Sequence, residues 1–126
     1  CGADIADMRQ ISNTLHSRLT LDNNGTLWSR SVDSRGKCAT ERVRVMDNVR
    51  EISAGTYHTL IIRNDGSLWA MGENQFGQLG DGSKTNRIRP VMVASGVRSA
   101  SAGSTFSMWI TSSGELMVVG VFKFAD

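Results

Sequence analysis

No apolar run in the sequence exceeds four residues without an intervening glycine, so no transmembrane helix is written into it. Cysteine is scarce. Cys1 and Cys38 are too few for a small disulfide scaffold, and neither has the CxxC neighbour of a zinc site. An excess of one charge is missing too. Lys+Arg number 14 against 12 Asp+Glu, for a formal net charge of +2, and 40% of residues are hydrophobic. A disordered acidic or basic tail is thereby excluded. Proline occurs once, whereas glycine occurs 13 times. The 126 residues suit one domain, whose folding buries roughly two thirds of the unfolded surface. What is left is a Gly-rich, Ser/Thr-rich globular chain whose function must be read from its organisation.

Catalytic frames are also missing. There is no GxSxG, no HExxH and no carboxylate pair in a recognisable frame, so no catalytic residue, metal or cofactor is expected. The stretch Gly77–Thr85 approaches a phosphate-binding P-loop, but Ser83 separates Gly82 from Lys84, and Asn86-Arg87-Ile88-Arg89-Pro90 supplies little helix. Asn24-Gly25-Thr26 is formally a glycosylation sequon, yet a tight turn explains all three residues. Residues 30–50 carry six cations against three acids, but the acids are interspersed, which describes a solvated mixed-charge surface better than a nucleic-acid site.

The chain starts without an initiator Met or a signal peptide and reads as processed or excised from something longer. Cys1-Gly2 suits the lipid-bearing first residue of a mature lipoprotein. A Cys1–Cys38 disulfide, two free thiols and an arbitrary boundary are the competing readings. The sequence leaves the location open, and the lipoprotein and disulfide readings lean weakly towards a secreted or cell-surface one.

The informative feature is an internal repeat. Ile11–Gly25, Ile52–Gly66 and Ala100–Gly114 align without gaps as ISNTLHSRLTLDNNG, ISAGTYHTLIIRNDG and ASAGSTFSMWITSSG. The spacing of the terminal glycines is 41 and then 48 residues. Asn24-Gly25, Asp65-Gly66 and Ser113-Gly114 predict two-residue hairpin turns, each between short β-prone runs such as Leu60-Ile61-Ile62 and Leu68-Trp69. Two further short strands precede each hairpin, for example Val43-Arg44-Val45 and Val49–Ile52. No segment has a sustained 3.6-residue period. The expectation is an all-β single repeat domain over 1–126, with blade-like units at about 1–30, 42–72 and 90–121. Four-stranded antiparallel blades of a β-propeller fit this pattern. Propellers close with roughly four to eight blades, so the ring is incomplete within one chain.

The middle repeat carries the fullest pattern. Ser53-Ala54-Gly55-Thr56-Tyr57-His58-Thr59-Leu60 leads to Asp65-Gly66-Ser67-Leu68-Trp69-Ala70-Met71-Gly72, then to Glu73-Asn74-Gln75-Phe76-Gly77-Gln78-Leu79-Gly80. This resembles the repeat of the regulator of chromosome condensation family, whose full members form seven-bladed β-propellers. The first repeat departs from it at Asn13-Thr14, and the third has Phe106 at the position of His58. The resemblance makes Gly55, His58, Gly66, Trp69, Gly72, Asn74, Gly77, Gln78 and Gly80 structural. Glycines serve tight turns, and the two amides satisfy loop backbone.

The expected activity is a non-enzymatic protein-binding scaffold. Its partner is another protein, with a homo-oligomer or a longer propeller completing the ring. His16, Tyr57 and Thr105 occupy the variable dipeptide of each repeat and should line one end of the blades. Phe76, Lys84 and Arg87 lie in a connecting loop, as anchors with polar partners. Guanine-nucleotide exchange or chromatin docking follows from the family resemblance alone, and fold does not transfer function. Carbohydrate binding is a further alternative.

Overall fold

The computed structural model describes residues 8–13 and 17–121. Strands β1 (Met8–Asn13), β2 (Ser17–Asp22), β3 (Leu27–Ser31) and β4 (Val43–Met46) form one antiparallel sheet in that order. Strands β5 (Val49–Ala54), β6 (His58–Arg63), β7 (Leu68–Gly72) and β8 (Arg87–Ala94) form a second. Strands β9 (Val97–Ala102), β10 (Phe106–Thr111) and β11 (Leu116–Gly120) form a third, three-stranded one. Among the described residues there is no helix, and so none long and apolar enough to cross a membrane. The chain is all-β and blade-like.

Two details differ from the sequence reading. Val43–Val45 and Val91–Val93, placed at the head of units 42–72 and 90–121, belong to the preceding sheets. Trp28 pairs with Arg44, and Trp69 pairs with Met92. The sequence misleads here because only two residues, Asp47-Asn48 or Ser95-Gly96, separate the strands, which is the spacing of a hairpin. At Asn48 (φ 58°) and Gly96 (φ 63°) the backbone turns left-handed, and the chain crosses to the next sheet.

The hairpin turns are also one residue longer than expected. Among the described residues Asn48 alone has positive φ without being glycine, so Asn24, Asp65 and Ser113 do not. A two-residue type I′ turn needs positive φ at both central positions. Instead Asp22 N–H bonds to Thr26 O and Gly25 N–H to Asp22 O, and the same pair recurs at Arg63–Ser67 and Thr111–Glu115. These are three-residue loops, each ending in a left-handed glycine: Gly25 (82°), Gly66 (85°) and Gly114 (93°).

The first two turns then dock on the next sheet. Gly25 O accepts Val49 N–H at 2.8 Å, and Gly66 O accepts Val97 N–H at 2.9 Å. Two apolar layers follow from this stacking. Leu19, Leu21 and Leu27 of the first sheet meet Val49, Ile52 and Ile61 of the second, with Trp69 and Met71 packed alongside. On the opposite face Leu60, Ile62, Leu68, Ala70 and the loop residue Leu79 meet Val97 and Trp109 of the third. Strand β6 is buried on both faces, which is why Leu60-Ile61-Ile62 is a continuous apolar run and does not alternate. Trp28 is placed differently from Trp69. Its indole N–H donates to Asp22 Oδ2 at 3.0 Å, and the Arg42 guanidinium lies 3.9 Å over its ring.

Leu68 is fully buried between the second and third sheets. Leu68→Ala is expected to lower the unfolding free energy by about 2–5 kcal/mol, read from urea unfolding. A loss below about 1 kcal/mol would mean that this layer is not a packed core.

Candidate protein-binding face

The connection between β7 and β8, residues 73–86, is built around one buried amide. Asn74 Nδ2 lies within 3.1 Å of Asp81 Oδ1, Ser83 O and Thr85 O, while its Oδ1 accepts Leu79 N–H at 3.0 Å. Gln78 is buried beside it and accepts Phe76 N–H through Oε1 at 3.0 Å. Asp81 closes the loop against Arg87, with 2.9 Å between Oδ2 and Nε. Burial raises the Asp81 carboxyl, but hydrogen bonds from Ser83, Arg87 and Asn74 outweigh it and pull the pKa down to about 2. The loop is therefore held together by side-chain hydrogen bonds and one ion pair. No cluster of three or more His, Cys, Asp or Glu among the described residues could hold an ion.

His58 ties this loop to the neighbouring sheet. Ser107 on β10 donates its hydroxyl proton to Gln78 O at 2.6 Å. That hydroxyl has one proton, so the 2.7 Å contact with His58 Nε2 requires the imidazole to donate there. His58 therefore carries a proton on Nε2, and Nδ1 faces no partner. Burial pulls its pKa down to about 4, against a weaker push from the Phe106 backbone. The ring needs Gly55 beside it, because a Cβ there would stand 2.8 Å from Cε1 and would also strike the Gly103 carbonyl. Gly72, paired directly with His58 across β6 and β7, has a matching role. Its φ is 116°, and a Cβ would lie 2.6 Å from Tyr57 O. The Tyr57 loop consequently sits directly on β7, with Glu73 N–H bonded to Tyr57 O at 3.0 Å.

Of the expected partner-binding residues, the structure brings two together. Tyr57 and Arg87 line one cavity of about 320 Å³ between the first and second sheets, with Leu19, Met71 and Ile88. Phe76 and Lys84 are exposed on the β7–β8 loop but do not line that cavity. Thr105 is on the third sheet's loop, where its hydroxyl donates to Val121 O at 2.7 Å. His16 lies outside the described residues. Arg87 is committed to Asp81, so its first role is to hold the loop. Sequence reasoning missed Ile88 and Val43, which are 91% and 66% exposed. Their signal was a lone aliphatic residue flanked by charge at the start of an outer strand. Cys38 is disulfide-bonded, and Cys1, the other cysteine, lies outside the described residues.

The regulator of chromosome condensation (RCC1) repeat matches residues 49–78 and again residues 65–110. Residues 49–110 carry RCC1 repeats. Its sheets resemble those of human WBSCR16 at a TM-score of 0.73 and 18% identity, over 90% of this chain and 33% of that one. Yeast RCC1 (Prp20), solved bound to Kap60, gives 0.69 and 22%, over 90% of this chain and 32% of that one. The C-terminal domain of bacteriophage phiKZ gp131 gives 0.58 and 13%, over 91% and 36%. At these identities the likeness is one of fold, and the chain spans about a third of the length of each of these proteins. A search of curated proteins finds no match. Within the RCC1 repeat frame, His58, Asn74 and Gln78 hold blade to loop, and Tyr57 faces outward.

The His58 geometry sets a pH dependence. Its folded pKa lies below the unfolded value of 6.5, so its contribution is intact above pH 6.5 and is lost as pH falls towards 4. The loss should total about 3 kcal/mol, at about 1.4 kcal/mol per pH unit. Urea unfolding at a series of pH values reads it, and His58→Gln should flatten that limb. A flat profile in the native chain would show that His58 is solvated. By contrast Tyr57→Ala should leave the melting temperature within about 2 °C, since an exposed side chain costs little.

Proposed function

We propose that the chain is a non-enzymatic protein-binding scaffold, an arc of propeller blades that closes by joining a second copy of itself. The observation that carries this is the outer face of the third sheet. In the repeat register Leu60, Ile62, Leu68 and Ala70 of the second sheet correspond to Met108, Ile110, Leu116 and Val118 of the third. The first four are buried against the next sheet. The second four share one face, because Met108 pairs with Val118 and Ile110 with Leu116. Leu116 is 62% exposed and Val118 41%. An apolar blade face in this register is shaped to receive another blade.

Two chains of three sheets supply six blades, inside the range of roughly four to eight that closed propellers use. A protein partner is supported from a second direction. Yeast RCC1 (Prp20) is solved bound to Kap60, and Prp20p is described with binding properties to Gsp1p and histones. The disulfide at Cys38 supports an oxidising, extracytoplasmic setting for this chain.

Light scattering behind size exclusion tests the assembly. The native chain should run as a discrete oligomer whether or not reductant is present, and Leu116→Asp should convert it to a monomer with unchanged circular dichroism. A folded native monomer overturns closure by a second copy. A species lost only on reduction also overturns it, by assigning the association to the cysteines.

A further inference from the structure

Strand β4 is the outermost strand of the first sheet, and β8 is the outermost strand of the second. Between the two sheets run two cavities of about 320 and 380 Å³ that share Met71 and Ile88 as walls, the first reaching β2 through Ser17 and Leu19 and the second lying between β4 and β8. They form one groove, from Tyr57 at the inner end to Val43 and Pro90 at the rim. Ile88 is the most exposed large apolar side chain among the described residues, at 91%. Nothing in the fold of its own sheet requires an isoleucine there.

The charge around the groove has one sign in excess. Arg44, Arg87 and Arg89 line it, against Glu73 alone. Their availability differs. Arg87 is held by buried Asp81 at 2.9 Å. Arg44 meets Asp47 at 3.4 Å with both side chains more than half exposed, a pairing that an incoming carboxylate can replace at little cost. Arg89 forms no ion pair among the described residues. The backbone limits how an occupant can bind. Strand β4 has only four residues, and β8 carries Pro90, which lacks an N–H, so strand addition at either edge is poorly supported. Recognition must run through side chains.

We propose that this groove binds an extended acidic segment of a partner protein, with an apolar residue held between Met71 and Ile88 and flanking carboxylates facing Arg44 and Arg89. The inference rests on the scaffold reading and adds the chemistry of what the scaffold holds. An apolar anchor ringed by exchangeable charges is the usual make-up of a binding hot spot. The exposed arginines supply orientation and encounter rate, so binding weakens as salt rises.

Fluorescence anisotropy with a labelled peptide, Asp-Glu-Asp-Leu-Glu-Asp, tests it on the full chain. The native protein should bind saturably, and more weakly at high salt. Arg89→Glu and Ile88→Ser should each weaken binding by about tenfold, the scale of losing one good contact. A peptide with serine for leucine should lose a similar factor, and a Lys-Leu-Lys peptide should prefer the Arg44→Glu, Arg89→Glu double variant. Equal binding to all these proteins overturns the proposal. So does no saturable binding up to about a millimolar, or stronger binding of a single-stranded oligonucleotide. Oligomeric state is measured on the same variants and should not change, because the groove is remote from the third sheet's open face. Lost peptide binding by an intact native oligomer sinks the groove alone, whereas a native monomer sinks the assembly alone.

Discussion

The docking of the first two hairpin turns on the sheets that follow them is the constraint from which the other features descend. Gly25 O to Val49 N–H and Gly66 O to Val97 N–H are single hydrogen bonds, worth about 1 kcal/mol apiece. Their importance is positional. They fix where the first strand of the next sheet begins, and that sets which side chains of β5 and β9 face backwards. Leucines of the first sheet then meet Ile52 and Ile61, and Leu60 and Ile62 meet Trp109. A shift of one residue at Val49 would turn Ile52 away from this layer, since strand side chains alternate. The left-handed glycine of each turn presents its carbonyl without a side chain in the way. At Gly25 a Cβ would already stand 3.3 Å from Val49 O.

Polar groups are drawn inside by the same stacking, and most are paired there, with His58 Nδ1 an exception. The β7–β8 loop passes over the junction of the second and third sheets, where Leu79 enters the core and Gln78 comes to lie against Ser107. Burying His58, Ser107, Asn74 and Gln78 together is costly wherever a group is left unpaired, as His58 Nδ1 is. The rest of the network runs from imidazole to hydroxyl to carbonyl, and the amide of Asn74 gathers the loop backbone around it. This arrangement makes a rigid loop from Gly-rich sequence and leaves the histidine with a structural rather than a chemical task.

Rigidity inside sets what the outside can do. Tyr57 is presented by a short connection pinned on Gly72, and Ile88 and Arg89 by a strand that begins where the loop is locked by Asp81 and Arg87. Side chains held this way lose little further backbone freedom on binding, which favours recognition by a preformed surface. The open face of the third sheet is of another kind: broad, apolar and in blade register. One surface suits assembly and the other suits a ligand segment.

Local chemistry wrote much of this into the sequence. Three gapless repeats, glycines at the turns and continuous apolar runs determined an all-β chain of blade-like units, because turn preference and apolar periodicity act between residues close along the chain. The turn type was misread, since Asn-Gly and Asp-Gly suit positive φ equally well in a two-residue or a three-residue loop. The owner of Val43–Val45 and Val91–Val93 was misread because a two-residue gap looks the same whether the chain folds back or crosses over. Only the tertiary structure decided those points. It alone paired His58 with Ser107, placed Tyr57 beside Arg87, and joined Met71 to Ile88 in a groove. Those contacts span sheets, and no spacing in the sequence records which strands the blades bring face to face.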